Sequence, residues 1–416
     1  MIVLFDDARA RGFEPFATTR PLGEMRVGAV LIRERWAHQL GVPVSAFVSA
    51  PHLALFAEFD APPAANRILP AGTIVANARA VPLLLRSNDA RANVHDAQVD
   101  GWMMDGTLAA VRLPVACDSA MLADAEMTLE SLVTPTSVRS MDGVWLHDVW
   151  DIVRHLQSLL NADIPVLAAL LTCTALEDND RDSRGPVVFG GHPVWVEAGA
   201  RIEPFTVFDT TLGPVLLREG VIVHAFTRVV GPCYIGRHST VTTDRISGSS
   251  IGDHCRVHGE FSASVMVGHA NKGHDGFVGH SVLGRWVNLG ASTVTSNLKN
   301  TYGTVALWTP RGVRDTGLQF LGTLFGDHAK TGIGLRLTTG CVLGAGANVM
   351  DGMPPKVVAP FSWGTRTPYD VYALPKFLES AERMMQRRAV RMDATQRAHL
   401  TQVYTDANAS AHWPAR

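Results

Sequence analysis

The sequence predicts a two-part molecule: an α/β domain with a largely parallel sheet, then a parallel β-helix closed by a carboxy-terminal helix. Three observations carry this. The first is an apolar residue every sixth position: Val223, Val229, Ile235, Val241; Ile251, Val257, Ala263; Phe277, Leu283, Leu289, Thr295; and Phe325, Thr331, Leu337, Leu343, Val349. Six is neither the helical period nor the strand period. It fits a coil whose every side is one short strand and one turn, with one side chain pointing inward. Glycine follows the inward residue at Gly284 and Gly290, where the turn needs a permissive backbone. The second observation is the alternation of apolar runs with helix-like stretches before residue 176, and the third is the helix-forming tail.

Each element follows in order. Ile2–Phe5, 44–49, 73–76 and 108–113 read as strands, and 27–40 and 120–132 as helices between them. Residues 149–160 read as an amphipathic helix closing the first domain, 1–176. The segment EDNDRDSRGP, 177–186, is charged, ends in Gly-Pro and has no apolar residue, so it is the expected linker. The β-helix is expected over 187–365, with an excursion from the coil between Lys299 and Leu324, and a helical tail over 366–416. Interruptions of a rigid solenoid commonly carry function.

Composition narrows the function classes. The chain has 416 residues, is 46% hydrophobic and carries a net charge of −2, which gives no footprint for nucleic acid or an anionic membrane. Its one basic cluster, Arg383, Arg387, Arg388 and Arg391, suits a helix face that is solvated or meets another subunit. Five cysteines without a CxxC fit buried thiols in a reducing compartment. The start MIVLFDD lacks the features of a signal peptide, and the apolar run 164–176 contains Pro165 and is too short to span a bilayer. A cytoplasmic protein is expected.

The richest chemistry lies in KGHDGFVGHSVLGRWVNLGASTVTSN, residues 272–297. Its Gly-His, then aliphatic-Gly, Asn-aliphatic-Gly-Ala and a later Asn, resembles the acetyl-transfer motif of the bifunctional N-acetylglucosamine-1-phosphate uridylyltransferase/glucosamine-1-phosphate acetyltransferase family, in which the catalytic His follows a small residue and Gly. The match has no gap. His274 falls on the catalytic histidine, Asn288 and Asn297 on the two substrate asparagines, and Gly290 and Ala291 on the small pair beside which acetyl-CoA would run. The resemblance implies a left-handed β-helix, an exception to the right-handed crossover rule, and a homotrimer with sites between subunits. Two positions depart from the motif: Phe277 stands where the family has Tyr, and Leu298-Lys299-Asn300 follows Asn297 where the family has Tyr-Asp-Gly. Lys330 and Arg245 are the candidates for holding the sugar phosphate.

The residue types suit the chemistry. An amine attacking a thioester must lose a proton, and a neutral imidazole accepts one near neutral pH. Asparagine offers paired donor and acceptor groups to a sugar. The bland alternatives are a turn histidine at His274 and asparagines serving the left-handed corners of the coil. His269, His274 and His280 also permit a zinc reading, as in trimeric β-helices that hold the metal between subunits.

In the first domain, FATTRPLGEMRVGAVLIRERW, residues 16–36, is similar in layout to the activating loop of sugar nucleotidyltransferases. Arg20 and Arg26 are the expected nucleotide-phosphate ligands. Asp6 and Asp7, after the first strand, are the expected Mg²⁺ ligands, while Asp105 and Asp142, each before Gly, read as turns. The family's Gly-rich phosphate cradle is replaced by FDDARARGFEPF, and side chains there would block the approach of backbone N–H groups. The whole reads as an acetyl-CoA-dependent amino-sugar-phosphate acyltransferase coupled to a nucleotidyltransferase-like domain. The alternative is a sugar-nucleotide-binding trimer without catalysis.

Overall fold

Six strands form the amino-terminal sheet in the computed structural model, which describes residues 1–85, 99–124, 126–176 and 185–415. The expected linker lies outside the described residues except at 185 and 186. The sheet runs Val138–Ser140, Gly101–Met104, Thr107–Arg112, Ile74–Asn77, Ile2–Phe5, Val44–Val48. Ile2–Phe5 is parallel to both neighbours and wholly buried, as a strand covered on both faces must be. The helix expected from 27 begins only at Ile32, because Arg26–Val27 and Val30–Leu31 pair first as a small ribbon. The stretch 120–132 breaks into Ala120–Ala123 and Leu129–Leu132, and Asp105 lies in a turn with φ 48°. Leu156–Leu170 closes this part, with Pro165 inside it.

The second part is the left-handed parallel β-helix, built of three columns of short strands. One column is a ten-stranded sheet from Thr174–Ala175 to Val357–Val358. Inward positions stack Val on Val, as in Val223, Val241 and Val257, all fully or almost fully buried. The six-residue phase slips at several sides. Ala263 sits at a corner with φ 45° and Phe277 is half-buried, while Phe261 and Val278 point inward. The reason is that Ile246, Ile251, Val257, Phe261 and Met266 are the buried inward residues of these coils, and some of those sides are only four or five residues long.

The corners also differ from expectation. Left-handed corners are held not by Asn but by His238, His254, His269, Trp286, His328 and Phe361, with φ between 53° and 62°. Their rings form a ladder: His238 to His254 5.1 Å, His254 to His269 4.7 Å, His269 to Trp286 4.5 Å, Trp286 to His328 6.3 Å. Stacking contributes where a β-carbon would otherwise be strained. Burial pushes the His269 and His328 imidazoles down to about 3, and those of His280 and His399 to about 4. The unfolded chain protonates these rings below about pH 6.5, while the folded chain does not until far lower. Stability is therefore full above that pH and falls as pH drops through the window. Thermal midpoints are expected to decline between about pH 6.5 and 4.5, and a midpoint flat across that range would refute the account.

The two parts are packed on each other. Outward-facing Leu216, Tyr234, Val265, Val282, Leu324 and Val342 of the ten-stranded column join the hydrophobic core of the amino-terminal domain. The excursion is a hairpin, Ala306–Thr309 with Gly312–Asp315, and Val305, Leu307 and Leu321 bury into that same core. The tail forms two helices, Leu374–Gln386 and Ala394–Ala409, packed on Trp286, Phe361 and the Phe47–Phe56 region. Among the described residues no helix is long and apolar enough to cross a membrane.

Candidate active site

Strand pairing in the β-helix sets Arg256, Asn271, Asn288, Lys330 and Asn348 one above another on the outside of one column. Between Asn271–Lys272 and Phe277–Gly279 the connection 273–276 is two residues longer than the 258–259 stretch of the preceding coil, and it bulges outward and exposes His274. Gly276 allows the bulge, at φ 111° with the Thr293 carbonyl where a β-carbon would go. Lys272 anchors it. This lysine is 0% exposed and takes an inward place beside Val257, where an aliphatic residue is the rule. Its Nζ donates to the carbonyls of His258, His274 and Asp275 at 3.2, 2.5 and 2.7 Å. Burial pushes its ammonium down to about 8. Three carbonyl acceptors satisfy the charge, which has no direct ion pair among the described residues.

His274 lines a cavity of about 330 Å³ with Asn271, Asn288, Gly290, Ala291 and, from the tail, Arg387 and Arg388; Arg256 and His269 complete its polar wall. Asn271 Nδ2 donates to Asn288 Oδ1 at 2.9 Å, which fixes the Asn288 amide with its NH₂ free to turn outward. Gly290 is needed for stacking, since a β-carbon there would lie 2.4 Å from the Gly332 carbonyl. Its N–H is committed to Thr331, so it does not offer a thioester oxygen a donor. Among the described residues no carboxylate ion-pairs with Arg256, Arg387 or Arg388. Burial, then the charge of Arg256 and more weakly that of Arg387, lowers the pKa of Arg388. Three uncompensated guanidinium groups in one wall call for an anion.

The other candidates are placed as follows. Lys330 adjoins Asn288 one coil further, with Nζ donating to the His328 carbonyl at 3.1 Å, and burial pushes it down to about 8. Asn297 is at a different corner, donating to His280 Nδ1 at 2.9 Å, where His280 stacks on Phe320. Arg245 is exposed on a different column, 3.9 Å from Glu260. His280 is at a different corner from His274, while His269 shares its cavity but stacks between His254 and Trp286, and among the described residues no group of three metal-ligating side chains exists. Neither asparagine has a left-handed backbone. Arg256, Asn271 and Lys272 escaped sequence reasoning; for Arg387 and Arg388 the basic tail cluster was the available signal.

In the amino-terminal domain, Arg20 and Arg26 are buried in the contact with the solenoid. Arg20 donates to Asp327 at 2.8 Å and to Glu58 at 2.9 Å, and Thr19 Oγ1 reaches the same Asp327 carboxylate. Arg26 donates to the Ala29 and Val267 carbonyls and lies over the Tyr234 ring. Asp6 turns inward to the Leu22 N–H and Ser49, and burial pushes it up to about 6. Burial would also raise Asp7, but the hydrogen bonds and charge of Arg79 outweigh it and hold the carboxyl low. So arranged, the pair offers a magnesium ion no free carboxylate, and they do not fit it.

Residues 2–170 match a family model described as sugar nucleotidyl transferase. The chain is also similar to the Bifunctional protein GlmU of Methanococcus vannielii, 27% identical over 157 residues, which cover 34% of this chain and 36% of that one. The GlmU of Desulfitobacterium hafniense is 27% identical over 203 residues, 42% of this chain and 41% of the relative. That of Bartonella quintana is 26% identical over 173 residues, 40% and 33%. The chain thus spans less than half the length of these relatives.

Proposed function

We propose that this chain, a divergent member of the GlmU-like sugar nucleotidyltransferases, moves an acetyl group from acetyl-CoA to the amine of an amino-sugar phosphate in the cavity around His274. The observation that carries the reading is the convergence there of an exposed imidazole, the Asn271–Asn288 pair and three arginines without carboxylate partners. The amine attacks the thioester carbonyl, a C–N bond forms, and the C–S bond breaks. His274 takes the amine's proton, and the departing thiolate is protonated in turn. Arg256, Arg387 and Arg388 hold phosphate, of the sugar or of the coenzyme. Asn288 orients the acceptor, and Lys272 keeps His274 in place through the backbone. Assembly is expected to be a homotrimer, and light scattering is expected to read about three times the 44.9 kDa chain mass; a monomer would overturn it.

A second reading, a sugar-nucleotide-binding trimer without turnover, draws support from the first domain alone. There Arg20 and Arg26 are engaged in the contact with the solenoid and Asp6 and Asp7 hold no metal-ready pair. A thiol-release assay separates the two. Acetyl-CoA with glucosamine 1-phosphate is expected to release free thiol only when both are present. Binding of either without release of thiol would favour the second reading and end the first.

A further inference from the structure

Lys272 is the least expected side chain in the solenoid, and its bonding turns on a count of protons. Val257 is its register partner on the preceding coil and Leu289 continues the row on the next, both almost fully buried. Into this aliphatic row comes an ammonium whose Nζ meets the carbonyls of His258, His274 and Asp275. An ammonium carries three N–H donors, one for each carbonyl. A neutral amine carries two and a lone pair, so one carbonyl would lose its bond and face the lone pair instead. The clasp closes fully only on the charged form.

The clasp joins two coils. His258 belongs to the strand Arg256–Ser262, whereas His274 and Asp275 belong to the bulge that follows Asn271–Lys272. Elsewhere the bulge is held lightly. At its tip Ser292 Oγ donates to Asp275 Oδ2 at 2.7 Å, an exposed contact. Beneath it a β-carbon on Gly259 would lie 2.7 Å from the Gly276 carbonyl, so backbone alone lies against the bulge there. The Asp275 carboxylate is the charge that acts on the ammonium, and it favours the protonated form. The His258 and His274 rings share a cavity of about 300 Å³ with that carboxylate and with Arg256. Lys330 lies one coil further, beside Asn288.

We propose that the proton on Lys272 switches the acyl-transfer site: with it the bulge holds His274 to the cavity, and without it the clasp opens and the imidazole loses its place. The inference rests on the acyl-transfer reading, and Lys272 serves in it as a positioning residue. A base misplaced by about 1 Å costs about 100-fold in rate. Burial is what loosens this proton, pushing the ammonium from 10.5 down to about 8. Turnover then needs His274 neutral and Lys272 charged, a band with an alkaline edge. Linkage gives stability the opposite sign. Between about pH 8 and 10.5 the unfolded chain keeps a proton on this lysine that the folded chain has released, so the group favours the fold more as pH rises. Lys272 therefore does not lower the rate by unfolding the chain.

Two measurements on the full chain test the switch. The first is kcat for thiol release, from acetyl-CoA and glucosamine 1-phosphate, as a function of pH. In the wild type it is expected to fall through about pH 8. Lys272→Met, which suits the aliphatic row, is expected to be about 10- to 100-fold slower at its best pH, with no fall near 8 and with KM for acetyl-CoA little changed. Lys330→Met, which removes the other lysine that burial pushes down to about 8, is expected to keep the fall. The second measurement needs no turnover. The His274 ring resonance, identified by its absence in His274→Ala, is expected to shift in a second step near pH 8 in the wild type and in Lys330→Met, but not in Lys272→Met. A missing second step in the wild type overturns the switch, as does its persistence in Lys272→Met or its loss in Lys330→Met. Should Lys272→Met fail to fold, the wild type and Lys330→Met decide the matter between them. A second step in protein that releases no thiol ends the acyl-transfer reading and leaves the switch standing, so the two fail separately.

Discussion

His274→Ala is expected to lower the turnover of acetyl transfer by about 10²–10⁴-fold, the usual contribution of a positioned general base. Acetyl-CoA affinity should stay near the wild-type value, because the arginines, not the imidazole, supply the anion contacts. The side chain is exposed on its bulge and has no hydrogen bond or ion pair to another side chain among the described residues, so the fold should tolerate its loss. The effect should therefore appear in kcat and leave KM little changed, the pattern of an interaction made in the transition state. Steady-state thiol release with both substrates measures it. Wild-type kcat in the variant would remove His274 from the mechanism.

Arg20→Ala is expected to cost about 3–5 kcal/mol of stability, the penalty for breaking a buried ion pair from one side. Its guanidinium is 2% exposed and bridges Glu58 of its own domain to Asp327 of the solenoid. Removing it strands two buried carboxylates. Arg285 still reaches Glu58 at 2.9 Å and its N–H still reaches Asp327, so the loss should lie at the lower end of that range. Urea denaturation followed by tryptophan fluorescence reads the change. Undiminished stability with weakened UTP binding would return Arg20 to the phosphate-binding role its sequence context suggests.

The period of six made the solenoid legible because each side of the coil admits one inward side chain, and Val223, Val241 and Leu283 obey it. It failed at Ala263 and Phe277 because nothing local announces that the preceding sides shorten to four or five residues. The bulge holding His274 was legible as a motif. Its anchor was not, since a lysine in an aliphatic row reads as a break in the pattern until its three carbonyl acceptors are seen. The Arg20 and Arg26 stretch misled for the opposite reason. Its local resemblance is to a phosphate loop, but Asp327, 307 positions away, sets what Arg20 does. Arg387 and Arg388 were visible as a charged helix face, and only folding brings them to Asn288.

The apolar column that receives the amino-terminal domain has a consequence for how the protein can be taken apart. Leu216, Val265 and Val282 have no polar surface of their own to show to water, and neither does the Leu159–Leu160 side of the helix that joins the same core. The chain is thus not two beads on a string. A cut at the 177–186 junction would leave each fragment with a raw greasy flank, and exposed patches of that kind drive clumping. Neither half is a portable cassette, and domain-by-domain study of this protein calls for both halves together.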